Sequence, residues 1–110
     1  MENFQQQAPG RYRLSGELGF STVDALLKTS VKQFSSQSET SISVDLGQVK
    51  HTDSAGLALL IEWLKLAARF NKTLSYCNLP KQLISMAQAM GLDELLESHS
   101  QTGSHSLPKS

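Results

Sequence analysis

The sequence predicts an α/β fold, with parallel strands joined by helices that pack on the sheet. Three observations carry this. Apolar residues alternate in two short segments and recur at helical spacing in three others. The elements come in the order strand, helix, strand, helix, strand, helix. Each helical crossover is long enough to return the chain to a parallel neighbour. With 110 residues there is room for one hydrophobic core, and no internal repeat divides it.

Residues 1–10 are polar, with a break at Pro9-Gly10, and hold a weak first strand around Phe4 to Gln7, since glutamine is a poor strand former. Tyr12 to Ser15 is a better strand, with Tyr12 and Leu14 on one face. Gly16 and Gly19 bracket Glu17-Leu18 and read as a turn. Ser21 is the expected helix N-cap, with Asp24 three residues on. The apolar face of that helix is Val23, Leu26, Leu27, Val31 and Phe34. Ile42 to Leu46 alternates as a strand, and Gly47 to Asp53 reads as a loop. Asp53 or Ser54 caps the next helix, which runs to about Phe70 and stops at Asn71. Thr73 to Cys77 is the third good strand. Pro80 suits the first position of a helix carrying Leu83, Ile84, Ala87 and Met90 on one face and ending at Gly91. Leu92 to Leu96 forms a last short helical turn. Residues 98–110 read as a disordered tail.

Charge excludes several functions. Lys plus Arg number 10 and Asp plus Glu number 10, so the chain lacks the basic excess of a phosphate-driven nucleic-acid binder. Cys77 is the single cysteine, which rules out an internal disulfide and fits a reducing compartment. No apolar run approaches the roughly 18 residues of a membrane span, and the N-terminus lacks a signal-peptide pattern. The protein is expected to be cytoplasmic. His51, His99 and His105 lack metal-ligand spacing, and no glycine-rich phosphate loop occurs, so no metal and no cofactor is expected. His51, Asp53 and Ser54 are too close in sequence to converge as a triad, and Ser106-Leu107-Pro108-Lys109 spells a Ser-x-x-Lys motif only within the tail. No catalytic residue is assigned.

The informative segment runs from Val44 through Leu57. It joins a strand, a polar stretch and a helix start, where free N–H groups attract hydroxyl or carboxylate partners. Asp53 and Ser54 can each cap, and Gly56 permits close approach of another surface. The helix that follows has two apolar stripes. Leu57, Leu60, Ile61, Leu64 and Ala68 form one; Leu59, Trp63, Leu66 and Phe70 form the other. One stripe must face the sheet. The second is either core or a partner surface.

Leu14-Ser15-Gly16-Glu17-Leu18, Val44-Asp45-Leu46, Asp53-Ser54-Ala55-Gly56-Leu57 and Gly91-Leu92 occur in the order that resembles a STAS domain, the fold of anti-sigma factor antagonists, over residues 11–97. The resemblance implies a mixed, mostly parallel sheet with helices mainly on one face, and a protein that works by binding. Phosphorylation-switched members carry a hydroxyl residue immediately before the motif glycine, where this chain has Ala55. They often carry an aspartate where it has Gly19. Both departures argue against such a switch and leave Ser54 as the candidate phosphorylation site.

The Asp-Ser-Ala-Gly-Leu-Ala-Leu-Leu run is similar instead to the STAS subunits of Mla-type phospholipid ABC transporters. That resemblance implies a non-enzymatic subunit, peripheral to the inner membrane, that binds the transporter's ATPase and through it the permease. The system it implies maintains outer-membrane lipid asymmetry. Asp53, Ser54, Ala55 and Gly56 would form the contact, with Leu59 and Trp63 as apolar anchors. The alternative is an antagonist that binds an anti-sigma kinase.

Overall fold

The computed structural model describes residues 3–36 and 38–98, the side chains of the last two excepted. Eight elements follow in order. They are β1 (Phe4–Ala8), β2 (Arg11–Leu18), α1 (Val23–Ser36), β3 (Ser41–Thr52), α2 (Ser54–Arg69), β4 (Thr73–Cys77), α3 (Lys81–Ala89) and α4 (Asp93–Ser98). The sheet order is β1-β2-β3-β4. β1 is antiparallel to β2, while β2 with β3 and β3 with β4 are parallel, so the sheet is mixed and mostly parallel.

One face of the sheet carries the core. Tyr12, Leu14 and Leu18 of β2, Ile42, Val44 and Leu46 of β3, and Leu74 and Tyr76 of β4 are all buried, and they join the helices in a single cluster. The residues between them are Arg11, Arg13, Ser41, Ser43, Asp45, Thr73, Ser75 and Cys77, exposed or half-buried. This strict alternation places the helices on one side and leaves a polar face on the other.

The first strand forms despite its three glutamines because Phe4 pays into the core. Its ring stacks on Tyr12 at 5.2 Å and lies 5.4 Å from Trp63. Burying one such ring stabilises by about 1.5–3 kcal/mol, enough to outweigh poor strand propensity.

Several boundaries differ from expectation. The turn expected at Gly16 to Gly19 is instead the end of β2. Gly16 takes φ +79° at a register shift against β3, and Leu18 is fully buried. The glycine is a bulge within the strand, not a stop. The loop expected from Gly47 to Asp53 is mostly strand, because β3 keeps pairing with the lengthened β2 as far as Leu18 opposite Thr52. The N-cap expected at Ser21 falls one residue later, since α1 begins at Val23 and the Thr22 carbonyl accepts the Leu26 N–H. Pro80 is the N-cap of α3 rather than its first residue. Val31 and Met90, expected on buried faces, are exposed. Asn71 does end α2 with a left-handed φ of 59°. Of the tail expected from residue 98, Ser98 ends α4, and the rest lies outside the described residues, with His99, His105 and the Ser106–Lys109 motif.

Helix α2 settles the question of its two stripes. Leu59 is 4% exposed and Trp63 0%, and Leu57, Leu60, Leu66 and Ala67 are buried beside them. The expectation that Leu59 and Trp63 anchor a partner is therefore corrected. They belong to the core because α1 lies alongside α2. The Trp63 indole N–H donates to the Ser30 hydroxyl at 2.8 Å, and Phe34 meets the indole edge-on at 6.0 Å. The other stripe is core as well: Leu57 and Leu60 are buried, Ile61 and Leu64 are half-buried against the core, and Ala68 alone of the five is exposed.

Candidate functional site

The start of α2 lies where β3 ends, beside the end of β2. Asp53 is extended, at φ −146°, and caps the helix. Its Oδ1 accepts the backbone N–H of Ala55 at 2.9 Å and of Gly56 at 3.1 Å. Its Oδ2 accepts the N–H of Phe20 at 3.1 Å, from the turn between β2 and α1. One carboxylate thus holds two segments together that are 33 residues apart in sequence. The Phe20 N–H is the largest influence holding the Asp53 carboxyl below its ordinary range, with Gly56 and Ala55 adding to it and desolvation partly opposing.

Two glycines make this geometry fit. A Cβ on Gly19 would lie 2.7 Å from Asp53 Oδ2. A Cβ on Gly56 would run into the Leu18 backbone carbonyl and come within 2.7 Å of Thr52 Oγ1. The close approach expected at Gly56 is real, but the surface that approaches is this chain's own strand end, and Gly56 is buried. Thr52 Oγ1 is buried there with no hydrogen-bond partner among the described residues. A side chain at Gly19 would crowd the Asp53 carboxylate, which would have to shift to admit it.

What remains available is small. Ser54, the first helical residue, is exposed, Ala55 is half-buried, and Ala58 continues outward one turn on. His51 lies on β3, exposed and in register with Glu17. The structure thus brings Asp53, Ser54, Ala55 and Gly56 together at one helix start, and it removes Leu59 and Trp63 from the surface.

Sequence reasoning missed Phe20. It is 84% exposed at the tip of the β2–α1 turn, tied to Asp53 through its own backbone. The signal that could have found it is a large aromatic in a Gly-Phe-Ser-Thr turn with no periodic apolar partner.

The single-sided helix layer on a mixed sheet, with a capped helix start exposed at the strand ends, defines a STAS domain. The chain belongs to the family described as MlaB, STAS domain, whose family model matches residues 3–97.

A Haemophilus influenzae relative, the intermembrane phospholipid transport system binding protein MlaB, is 36% identical over 56 residues, 51% of this chain and 53% of that protein. The chain spans about half the length of this curated relative. Among solved structures, the unphosphorylated anti-sigma factor antagonist SpoIIAA matches with a TM-score of 0.69 at 16% identity, covering 90% of this chain and 84% of that one. A chain of the Acinetobacter MlaFEDB complex in its ATP-bound Vtrans2 conformation matches at 0.68 and 24% identity, covering 82% and 94%. Both likenesses support the mixed sheet and one-sided helices expected from the sequence. Among the described residues no helix is long and apolar enough to cross a membrane.

Proposed function

We propose that this chain is a non-enzymatic subunit of an Mla-type phospholipid-transport ABC system. It docks on the ATPase through the first turn of α2, and so reaches the permease indirectly. It works at the cytoplasmic side of the inner membrane, held there by its partner, in a system that maintains outer-membrane lipid asymmetry. The observation that carries this reading is the start of α2. It is built for shape, with its carboxylate spent on backbone N–H groups and with Ser54 presented to solvent. A nucleophile needs a base within hydrogen-bond reach, and the Asp53 carboxylate is committed elsewhere. Membership of the MlaB family and the likeness to a chain of the MlaFEDB complex point to the partner.

The test is a titration of the purified chain against the ATPase subunit of its own organism's transporter. Binding is expected. Ser54→Arg, which places a bulky charge on the contact, is expected to weaken it by about tenfold or more. No binding by the wild-type chain would refute the reading.

The likeness to SpoIIAA supports a second reading, a partner-switching antagonist that binds an anti-sigma kinase and is phosphorylated on the exposed Ser54. Ala55, at the position before the motif glycine, counts against it. Incubation with a cognate kinase followed by mass spectrometry separates the two. Phosphate on Ser54 would favour the antagonist, and an unmodified chain the transporter subunit.

A further inference from the structure

Among the described residues, Phe20 is the most exposed of the large hydrophobics. Its backbone is held in place. The Phe20 N–H is bound by Asp53 Oδ2, and the Gly19 carbonyl accepts the N–H groups of Thr22 and Val23 at 2.9 and 3.0 Å. The Thr22 hydroxyl accepts the Gly19 N–H and donates to the Glu17 carbonyl, both at 3.1 Å. A ring presented on a backbone already ordered loses little further freedom when a partner covers it. Aromatic residues of this kind, at the centre of a contact, carry a disproportionate share of binding energy.

Charge around the ring narrows what can cover it. From Gly16 to Leu27 the chain carries Glu17 and Asp24, with the exposed Lys28 following. From His51 to Ile61 it carries Asp53, with the exposed Lys50 preceding. An anionic bilayer favours a basic excess beside an inserted aromatic, and here Glu17, Asp24 and Asp53 outnumber Lys28 and Lys50. Two copies meeting through this tip would set Asp24 and Asp53 against their own counterparts. The complementary surface is a protein pocket with an apolar floor and a basic or N–H-rich rim.

We infer that Phe20 is the apolar anchor that seats this face in such a pocket on the ATPase subunit, and that Asp53 is the positioning residue that holds it out. This rests on the docking reading above, and the Phe20 backbone is tied to Asp53, the residue before Ser54.

The experiment is a calorimetric titration of the full chain and its variants into the ATPase subunit. Circular dichroism melts confirm that each variant is folded. Phe20→Ala is expected to weaken binding about thirtyfold with an unchanged melt, and Phe20→Leu to restore most of it. Asp53→Asn keeps an oxygen for the helix N–H groups, but its amide nitrogen cannot accept the Phe20 N–H. It is expected to weaken binding in the wild-type background and to add little in the Phe20→Ala background.

Wild-type binding with Phe20→Ala within twofold of it would overturn the anchor and leave the docking reading standing. No wild-type binding at all would overturn both. Additive losses in the double variant would overturn the positioning role of Asp53. Phe20-dependent binding to vesicles of phosphatidylethanolamine and phosphatidylglycerol, or Phe20-dependent dimers in sedimentation, would overturn the assigned partner.

Discussion

Helices α2 and α3 both start just past the C-terminal end of a parallel strand, and both begin with N–H groups that lack intrahelical partners. Their first turns are built differently. At α2, Asp53 takes two helix N–H groups and a third from a distant turn, and Gly56 is pressed against the end of β2. At α3, the N-cap is Pro80 at φ −62°, with no side-chain hydrogen bond, reached through a three-residue turn containing Asn78 at φ 57°. The fold asks the same of both positions, so topology alone does not explain the clasp at α2. The extra constraint falls on the end that carries the exposed Ser54 and Phe20. On the proposed function, the molecule is most constrained at the end that would dock.

The sharpest way to break this contrast is Gly56→Ala. Alanine would gain about 0.5–1 kcal/mol of helix propensity, yet its Cβ meets a backbone carbonyl that cannot rotate aside, at a cost of about 3 kcal/mol. A net loss of about 2 kcal/mol is expected, read as a melting-temperature fall on the order of 10 °C. Gly19→Asp is expected to come next, since it forces a second carboxylate onto the first. Its melt should fall between those of Gly56→Ala and wild type, and Phe20 amide exchange should quicken.

The third test is pH. The folded Asp53 carboxyl titrates below its ordinary 3.8, so its charge contributes stability that is fully present above that value and is lost as pH falls through the lower folded value. The melting-temperature gap between wild type and Asp53→Asn is therefore expected to hold from pH 5 to 8, by the same linkage, and to shrink below about pH 4. The smallest effect is expected at α3. Pro80→Asp adds a cap worth up to about 1 kcal/mol and loses a rigid residue worth about 0.4–1 kcal/mol, so stability should stay within about 0.5 kcal/mol. A large gain there would show that α3 is as demanding a position as α2.

Much of this was legible because it is local. A cap at Asp53 or Ser54, Asn71 as stop, and the strand Thr73 to Cys77 each follow from residue type and short spacing, and the structure selects Asp53 as the cap. What was not legible depended on distant parts of the chain. Gly16 reads as a turn until β3 is laid beside it, and Gly47 to Thr52 reads as a loop until β2 is seen to continue alongside. Periodicity found both stripes of α2 but could not say that the second was core too, because the answer came from Ser30 and Phe34 on α1 and from Phe4 on β1. At the candidate site, Asp53 to Gly56 were visible as a contiguous string. Phe20 was not, since its place beside them is set by one hydrogen bond across 33 residues.

The Tyr76 hydroxyl donates to the Leu60 carbonyl in the middle of α2 at 2.6 Å, fully buried, and burial pushes that phenol well above its ordinary 10. With the Trp63 bond to Ser30, this gives α2 two polar fixings in an otherwise apolar core, one to the sheet and one to α1. Apolar contacts alone would tolerate a slide or a roll of the helix, but these two hydrogen bonds are lost by either motion. Helix α2 therefore behaves as a strut. A load applied at Ser54 moves the sheet with it, and the slowest-exchanging amides of the domain should lie between Leu60 and Ala67.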